Sequence, residues 1–385
     1  MKRISLFLLL FLLLKATVMY SQDGHPETNF RIVPVSPNAA SLGTFGMIPT
    51  DNYVGQANLT IPIYEIDLDG KKFPIALSYH TDGTRVAQEA TWIGLGWTLQ
   101  AGGCVVRQVQ GTDDFAARGC YNLTDAPWLT NPRFEVTDQN LEKYMGYFKG
   151  DYDAEPDMFY FNAGGHSGSM YFDVLKNNRQ LNAVPTIQTQ EKVVKMVYNT
   201  SNKTWTMTDL EGYVYSFSTK EITYYFLNTI DFWQTDITRS HIFPYYNEPQ
   251  IVTAWMLDSV TSPNGGKIMF SYKKESIFTP ISTTEDVISL SKIVNGQLSS
   301  QSPQYFTNKF NYNYSYSKIE QWTLSAITFE GGKVEFGTTD REDIESAETG
   351  KKVQKLSSIK VSDTAGNLIK TTMLEYKYLL RGMAD

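Results

Sequence analysis

The acidic run Asp151-Tyr-Asp-Ala-Glu-Pro-Asp157 has the spacing that points most directly to chemistry. Successive side chains of an extended chain face opposite ways. Asp151, Asp153, Glu155 and Asp157 would then share a face, as calcium's oxygen ligands do. The run lacks the glycine that gives an EF-hand loop its sharp turn, so acids simply solvated ahead of a strand are the competing reading. Glu330 and Glu335 flank Gly331-Gly332 and could hold the carboxyl separation of a glycoside hydrolase, roughly 5–10 Å. Acids on any hairpin do the same. His166-Ser167 inside Gly165-His-Ser-Gly168 lacks the Gly-x-Ser-x-Gly spacing of a nucleophile elbow, and strand neighbours point apart.

Gly94-Leu-Gly96 misses the third glycine of a dinucleotide fingerprint, has no βαβ pattern around it, and is followed by the bulky Trp97. His25, His80, His166 and His241 show no metal spacing, and neither Cys104 nor Cys120 sits in a Cys-x-x-Cys pair. An oxidising compartment would allow Cys104–Cys120 to bridge, closing a loop that contributes roughly 3 kcal/mol. Two free buried thiols are the alternative. Tyr213, Tyr215, Tyr224 and Tyr225 could stack on sugars from a sheet face, or pack across strands. The residues predict no cofactor and no enzyme.

The elements that must position these groups are strands. Aromatics make up 14% of the 385 residues, and Tyr, Phe, Thr and Val favour a pleated surface. Segments 58–64 and 73–79 read as strands, with Asp69-Gly70 between them as a two-residue turn. Pro62 and Pro74 push their positions towards edges or strand starts. Residues 35–46 carry Pro, Asn and Gly and read as a turn-rich lead-in. Residues 105–109 form another strand, and 140–148 carry Leu141, Tyr144, Met145 and Phe148 at helical spacing. Hairpins then recur: 157–162 with 169–173, and Trp205 to Phe217 about the turn at 209–212. Trp255 to Tyr272 and Trp322 to Phe336 are similar units, and a weaker one starts at Leu356. Each is too small to bury its own face and needs neighbours stacked on it. Residues 277–315 read as a polar insertion.

Around all of these lies Thr91-Trp-Ile-Gly-Leu-Gly-Trp-Thr-Leu-Gln-Ala-Gly-Gly103. Trp92 and Trp97 bring large apolar surfaces. Gly94, Gly96, Gly102 and Gly103 allow close backbone approach, so the stretch is expected to be a tight packing junction.

Met1-Lys-Arg-Ile-Ser5, an apolar run from Leu6 to Leu14 and the small Ser21 predict a secretory signal peptide over residues 1–21. An uncleaved anchor is disfavoured, because the run is too short to span comfortably. Cleavage removes Lys2, Arg3 and Lys15 and no acid, so the formal charge becomes −7 − 3 = −10. That charge argues against nucleic acid and anionic membrane as partners. The expected location is secreted, periplasmic or at the cell surface.

The chain resembles the N-terminal region of the secreted Rhs/YD-repeat proteins of Gram-negative bacteria. The likeness is carried by Ser36-Pro-Asn-Ala-Ala40, the stretch from Gly55 to Tyr64, Leu77-Ser-Tyr-His80, and above all Trp92-Ile-Gly-Leu-Gly-Trp97 with Ala101-Gly-Gly103. Glu155-Pro-Asp-Met-Phe-Tyr-Phe-Asn162, Gly168-Ser-Met-Tyr-Phe-Asp173 and Ser262-Pro-Asn-Gly-Gly266 add to it. The resemblance implies a twisted β strip that wraps into a shell around a downstream polypeptide, often a toxin.

The expected fold is all-β: antiparallel hairpins in a twisted repeat-like strip, with an N-terminal β lead-in and one short helical insertion. The expected divisions are a signal peptide at 1–21, an N-terminal β region at 22–111, an insertion at 112–150 and a hairpin region at 151–385. The expected function is a non-enzymatic structural or interaction module, the N-terminal part of an Rhs-type shell that is a fragment, a short relative or one piece of a split protein, with a protein partner or downstream Rhs/toxin polypeptide. A carbohydrate-binding or surface-adhesion module with a glycan ligand is the alternative.

Overall fold

The structure, a computed structural model, describes residues 34–45, 58–80, 88–122 apart from 112, 117 and 118, and 153–233 apart from 154, 174–181 and 189–193. It also describes most of 236–290, all of 307–378 and isolated positions elsewhere. Among these residues the protein is mostly antiparallel β.

The first unit is a three-stranded sheet of β1 (Asn58–Leu68), β2 (Lys71–His80) and β3 (Trp97–Gln100). Asp69 and Gly70 join β1 to β2 with φ of 51° and 93°, the positive pair that a type I′ hairpin turn requires. Pro62 sits where the β1–β2 register shifts. Pro74 lies inside the central strand, but β3 pairs only with residues 76–79, so no ladder bond is lost at Pro74 on that side.

Residues 35–46 do not form the turn-rich lead-in that their Pro, Asn and Gly predict. They hold a helix, α1 (Pro37–Phe45). The Ser36 hydroxyl oxygen accepts the Ala39 amide at 3.1 Å as an N-cap, and proline at the first helical position has no amide to leave unpaired. The helix expected over 140–148 lies outside the described residues except for Leu141 and Met145, both exposed.

Apart from a short two-stranded ribbon at 293–294 and 297–298, the remaining strands form one continuous sheet. A meander of β4 (Gly103–Gln108), β5 (Met158–Ala163) and β6 (His166–Tyr171) leads it. Next come β7 (Val194–Asn199), β8 (Thr204–Asp209) and the 20-residue β9 (Val214–Trp233). The hairpin of β10 (Ile251–Thr261) and β11 (Lys267–Phe278) follows. The 23-residue β12 (Thr307–Phe329), β13 (Gly332–Asp340), β14 (Gln354–Ser362) and β15 (Leu368–Met373) complete the strip. The polar stretch 277–315 is drawn into the sheet, since residues 282–290 pair with 307–315 of β12.

The two long strands make the sheet branch. β9 pairs with β10 over residues 214–223 and with β12 over 222–233. β10 meets β11 only at the hairpin tip, at residues 259–261. Lower down, the same edge of β10 takes β4, with Ala254, Trp255 and Met256 opposite Val106, Val105 and Cys104. A fork therefore opens between the β4 branch and the β11–β12 branch.

The main core lies on the other side of β4 and β10, where Phe159, Phe172, Tyr198, Trp205 and Trp255 pack with ring centroids 4.7–6.1 Å apart. Strict alternation of buried and half-exposed residues along β5 and β8 places these rings on one face. Phe115, from the stretch expected to be an insertion, stacks on Tyr198 at 4.8 Å and joins this core. At the far end β15 is exposed on nearly every residue. Among the described residues no strand pairs with its outer edge.

Candidate functional site

The best-built polar site in the molecule is the fork with α1 seated in it. Ala39 and Leu42 of the helix pack on Cys104, Val106, Ala254 and Met256, with Tyr272 and Trp322 closing the other side. Glu221 stands where β9 changes partner from β10 to β12 and is fully buried. Its carboxylate accepts the Ser36 amide at 2.8 Å and the Thr253 hydroxyl at 3.2 Å, and the Ser36 hydroxyl donates to its other oxygen. A carboxylate at the first turn of a helix meets unpaired amides and the positive end of the dipole. Burial pushes the Glu221 carboxyl above its ordinary range, and the Ser36 and Thr253 hydrogen bonds pull it back. Asn38 spans the fork: its side-chain oxygen accepts the Trp92 amide at 2.9 Å and its Nδ2 donates to Gln321 at 3.4 Å. The void left beneath the helix is about 30 Å³, about the volume one water occupies in the liquid.

The Trp–Gly junction abuts this fork. Trp92 is buried, its ring 6.5 Å from that of Phe336, and its carbonyl accepts the Leu356 amide at 2.9 Å. The junction therefore ties α1 on one side to β13 and β14 on the other. Trp97 is only half-buried and lies 5.2 Å from the ring of Tyr79. Gly94, Gly96 and Gly102 all have positive φ. Gly103 is needed for a different reason: a Cβ there would stand 2.5 Å from the Asn162 carbonyl and 2.6 Å from the Ala163 Cβ, so β4 and β5 could not close.

The described members of the acidic run differ in their surroundings. Asp151 lies outside the described residues, and Glu155 is exposed. Asp157 is fully buried and accepts Arg107 Nε at 2.8 Å, a second Arg107 N–H, and the amides of Gln110 and Asp114 at 2.7 and 3.1 Å. Asp153 is also buried and accepts the Glu155 amide at 2.9 Å. No group of three or more His, Cys, Asp or Glu with metal geometry occurs among the described residues. Sequence reasoning missed both Arg107 and Asp114. Arg107 is buried on β4, bridges Asp113 and Asp157, and lies over the rings of Phe115 and Phe159. Asp114 accepts the Asp157 amide at 3.0 Å, and burial with the neighbouring Asp157 charge pushes its carboxyl up to about 8.

Cys104 and Cys120 are free thiols and both are buried, one on β4 and one in a 3-10 turn. Burial raises the pKa of each, which leaves the reactive thiolate scarce.

Of the tyrosines considered for sugar stacking, Tyr213 and Tyr215 are buried. They belong to a node where Lys71 reaches Asp209 at 2.5 Å and Glu211 at 3.0 Å. Tyr215 donates to Asp209 at 3.1 Å, and Tyr213 to the Leu68 carbonyl at 3.0 Å. This node docks the β1–β2 hairpin tip on the 209–212 turn. His166 lies 3.7 Å from Asp209 in the same node. Glu330 and Glu335 are exposed, and Glu335 binds Lys333 at 2.5 Å. What these residues do is hold elements together.

No family model and no curated protein matches the chain. Among solved structures, a crystal structure of a TcdB2–TccC3–Cdc42 complex is similar over 84% of this chain and 14% of that one, at 10% identity and a TM-score of 0.38. A Photorhabdus luminescens Tc holotoxin pore carrying a TccC3 substitution is similar over the same shares, at 9% identity and a TM-score of 0.37. The chain spans about one seventh of the length of each.

Proposed function

We propose that this protein is a secreted structural module, a wall segment of a larger β assembly of the Rhs/YD kind, which works by joining to another polypeptide. One observation carries this reading. The strip of paired strands ends in β15, whose outer edge has no strand partner among the described residues while Leu368, Ile369 and Met373 stand 62%, 56% and 68% exposed. A strand with an unpaired edge is a template for strand addition, and β15 presents these three apolar side chains with Lys370 as its one charge. The fork, the Trp–Gly junction and the buried Arg107 support a rigid scaffold, and the resemblance in residues 35–385 supplies the family.

Sedimentation velocity over a wide concentration range tests the reading. The expected result is self-association, or association with an added Rhs-type downstream polypeptide, that Ile369→Lys weakens. A monodisperse monomer at high concentration that ignores both the added chain and the substitution overturns it. The adhesion alternative loses Tyr213 and Tyr215 to the core, and absence of reproducible binding on a glycan array would close it.

A further inference from the structure

A cleft of about 300 Å³ opens between residues 273–276 of β11 and residues 346–354 that lead into β14. It takes no part in the packing described so far. Its walls carry Lys273, Lys274, Lys351 and Lys352, in a chain whose formal charge is −7. Glu320 neutralises Lys274 at 2.8 Å, and Glu348 neutralises Lys351. Lys273 and Lys352 are exposed and form no ion pair among the described residues. The floor is polar and fixed. Ser276 is buried, its carbonyl accepts the Ala347 amide at 2.8 Å, and Glu275 accepts the Gln354 amide at 3.2 Å.

We propose that this cleft is an oxyanion site, taking a phosphate, sulfate or carboxylate group between Lys273 and Lys352. Like charges gathered without a counter-ion repel one another, and a bound anion relieves that repulsion. The size falls at the lower end of small-ligand pockets, enough for the anionic group of a sugar or a free inorganic ion.

Glu275 makes the site pH-dependent. The groups around it are Lys273 and Lys274 on its own strand, Glu320 and Gln321 on β12, and Arg341, Glu348, Lys351, Lys352 and Gln354 on the segment opposite. Burial pushes the Glu275 carboxyl up to about 7. The cleft's four lysines against Glu275, Glu348 and the Glu320 paired with Lys274 give a net charge of +1 when all three acids are ionised and +2 when Glu275 is protonated. Anion affinity therefore rises as pH falls through about 7.

Calorimetric titration of the full chain with sodium phosphate, and separately with a sulfated disaccharide, tests this at constant ionic strength with chloride as the reference anion. Saturable binding is expected, stronger at pH 6 than at pH 8 for the sulfated disaccharide, whose charge is constant over that range, and weakened about tenfold by Lys273→Gln with Lys352→Gln. The same double substitution should leave the anion-free melting temperature unchanged or slightly raised, since it removes repulsion. A disaccharide that binds much more tightly than phosphate identifies a glycan as the source, and equal affinities identify a free anion. Binding no better than chloride, or binding that the double variant retains in full, overturns the proposal.

Discussion

At the residue scale, Glu221 has the most dependents. Fully buried, it accepts an amide and a hydroxyl of Ser36 and a hydroxyl of Thr253. Replacing it with Leu strands those donors in the fork and should cost about 2–4 kcal/mol in urea unfolding. Gln, which keeps one acceptor, should cost less. Glu275 yields a pH prediction. Burial raises its folded pKa to about 7, above the ordinary glutamate value of 4.5, so the native state holds its proton more tightly than the unfolded chain. The stability this contributes is complete below about 4.5 and is lost as pH rises through about 7. Asp114 and Glu221, also raised, act with the same sign. Melting temperature should therefore fall over that window, and Glu275→Gln should flatten the fall. Both thiols should resist alkylation until the protein unfolds, and electrophoretic mobility should not change with reductant.

At the element scale, what could be read from sequence was what local chemistry decides. Asp69-Gly70 can adopt two positive φ values at low strain, so the β1–β2 hairpin follows from a dipeptide. The hairpins at 157–173, 205–217, 255–272 and 322–336 follow in the same way from their Gly turns and alternating aromatics. α1 could not be read like that. Nine residues with a serine, a glycine and a proline make no stable helix alone, and what seats them is Glu221, 185 positions later in the chain. The role of Asp157 was hidden for the same reason, because its partner Arg107 lies 50 positions away. The junction tryptophans also divide unequally. Trp92→Ala should cost about 3–5 kcal/mol as a core truncation, while Trp97→Ala, half-buried beside Tyr79, should cost about 1–2. Gly103→Ala should cost about 2–3 kcal/mol through the clash with Asn162. Chemical denaturation of the three variants ranks them directly.

At the scale of the whole molecule, the sheet is asymmetric. The end that carries the fork is locked by a helix, two tryptophans and a buried arginine, whereas the end that carries β15 is open. Hydrogen exchange should show this gradient, with slow amides at 104–107 and 254–257 and fast ones at 368–373. The seating of α1 also sets an order of events in time. The helix leaves the ribosome before any strand of its socket, yet the socket needs β4, β9, β10 and β12, the last not finished until Phe329. Contacts of such long range close slowly, so residues 34–45 must wait, exposed, while roughly three hundred residues assemble. Refolding followed by Trp92 fluorescence should then show a late phase that Ser36→Ala with Asn38→Ala slows or abolishes. During that wait the unfilled fork is the place where a chaperone, or the wrong segment of another chain, would find a seat.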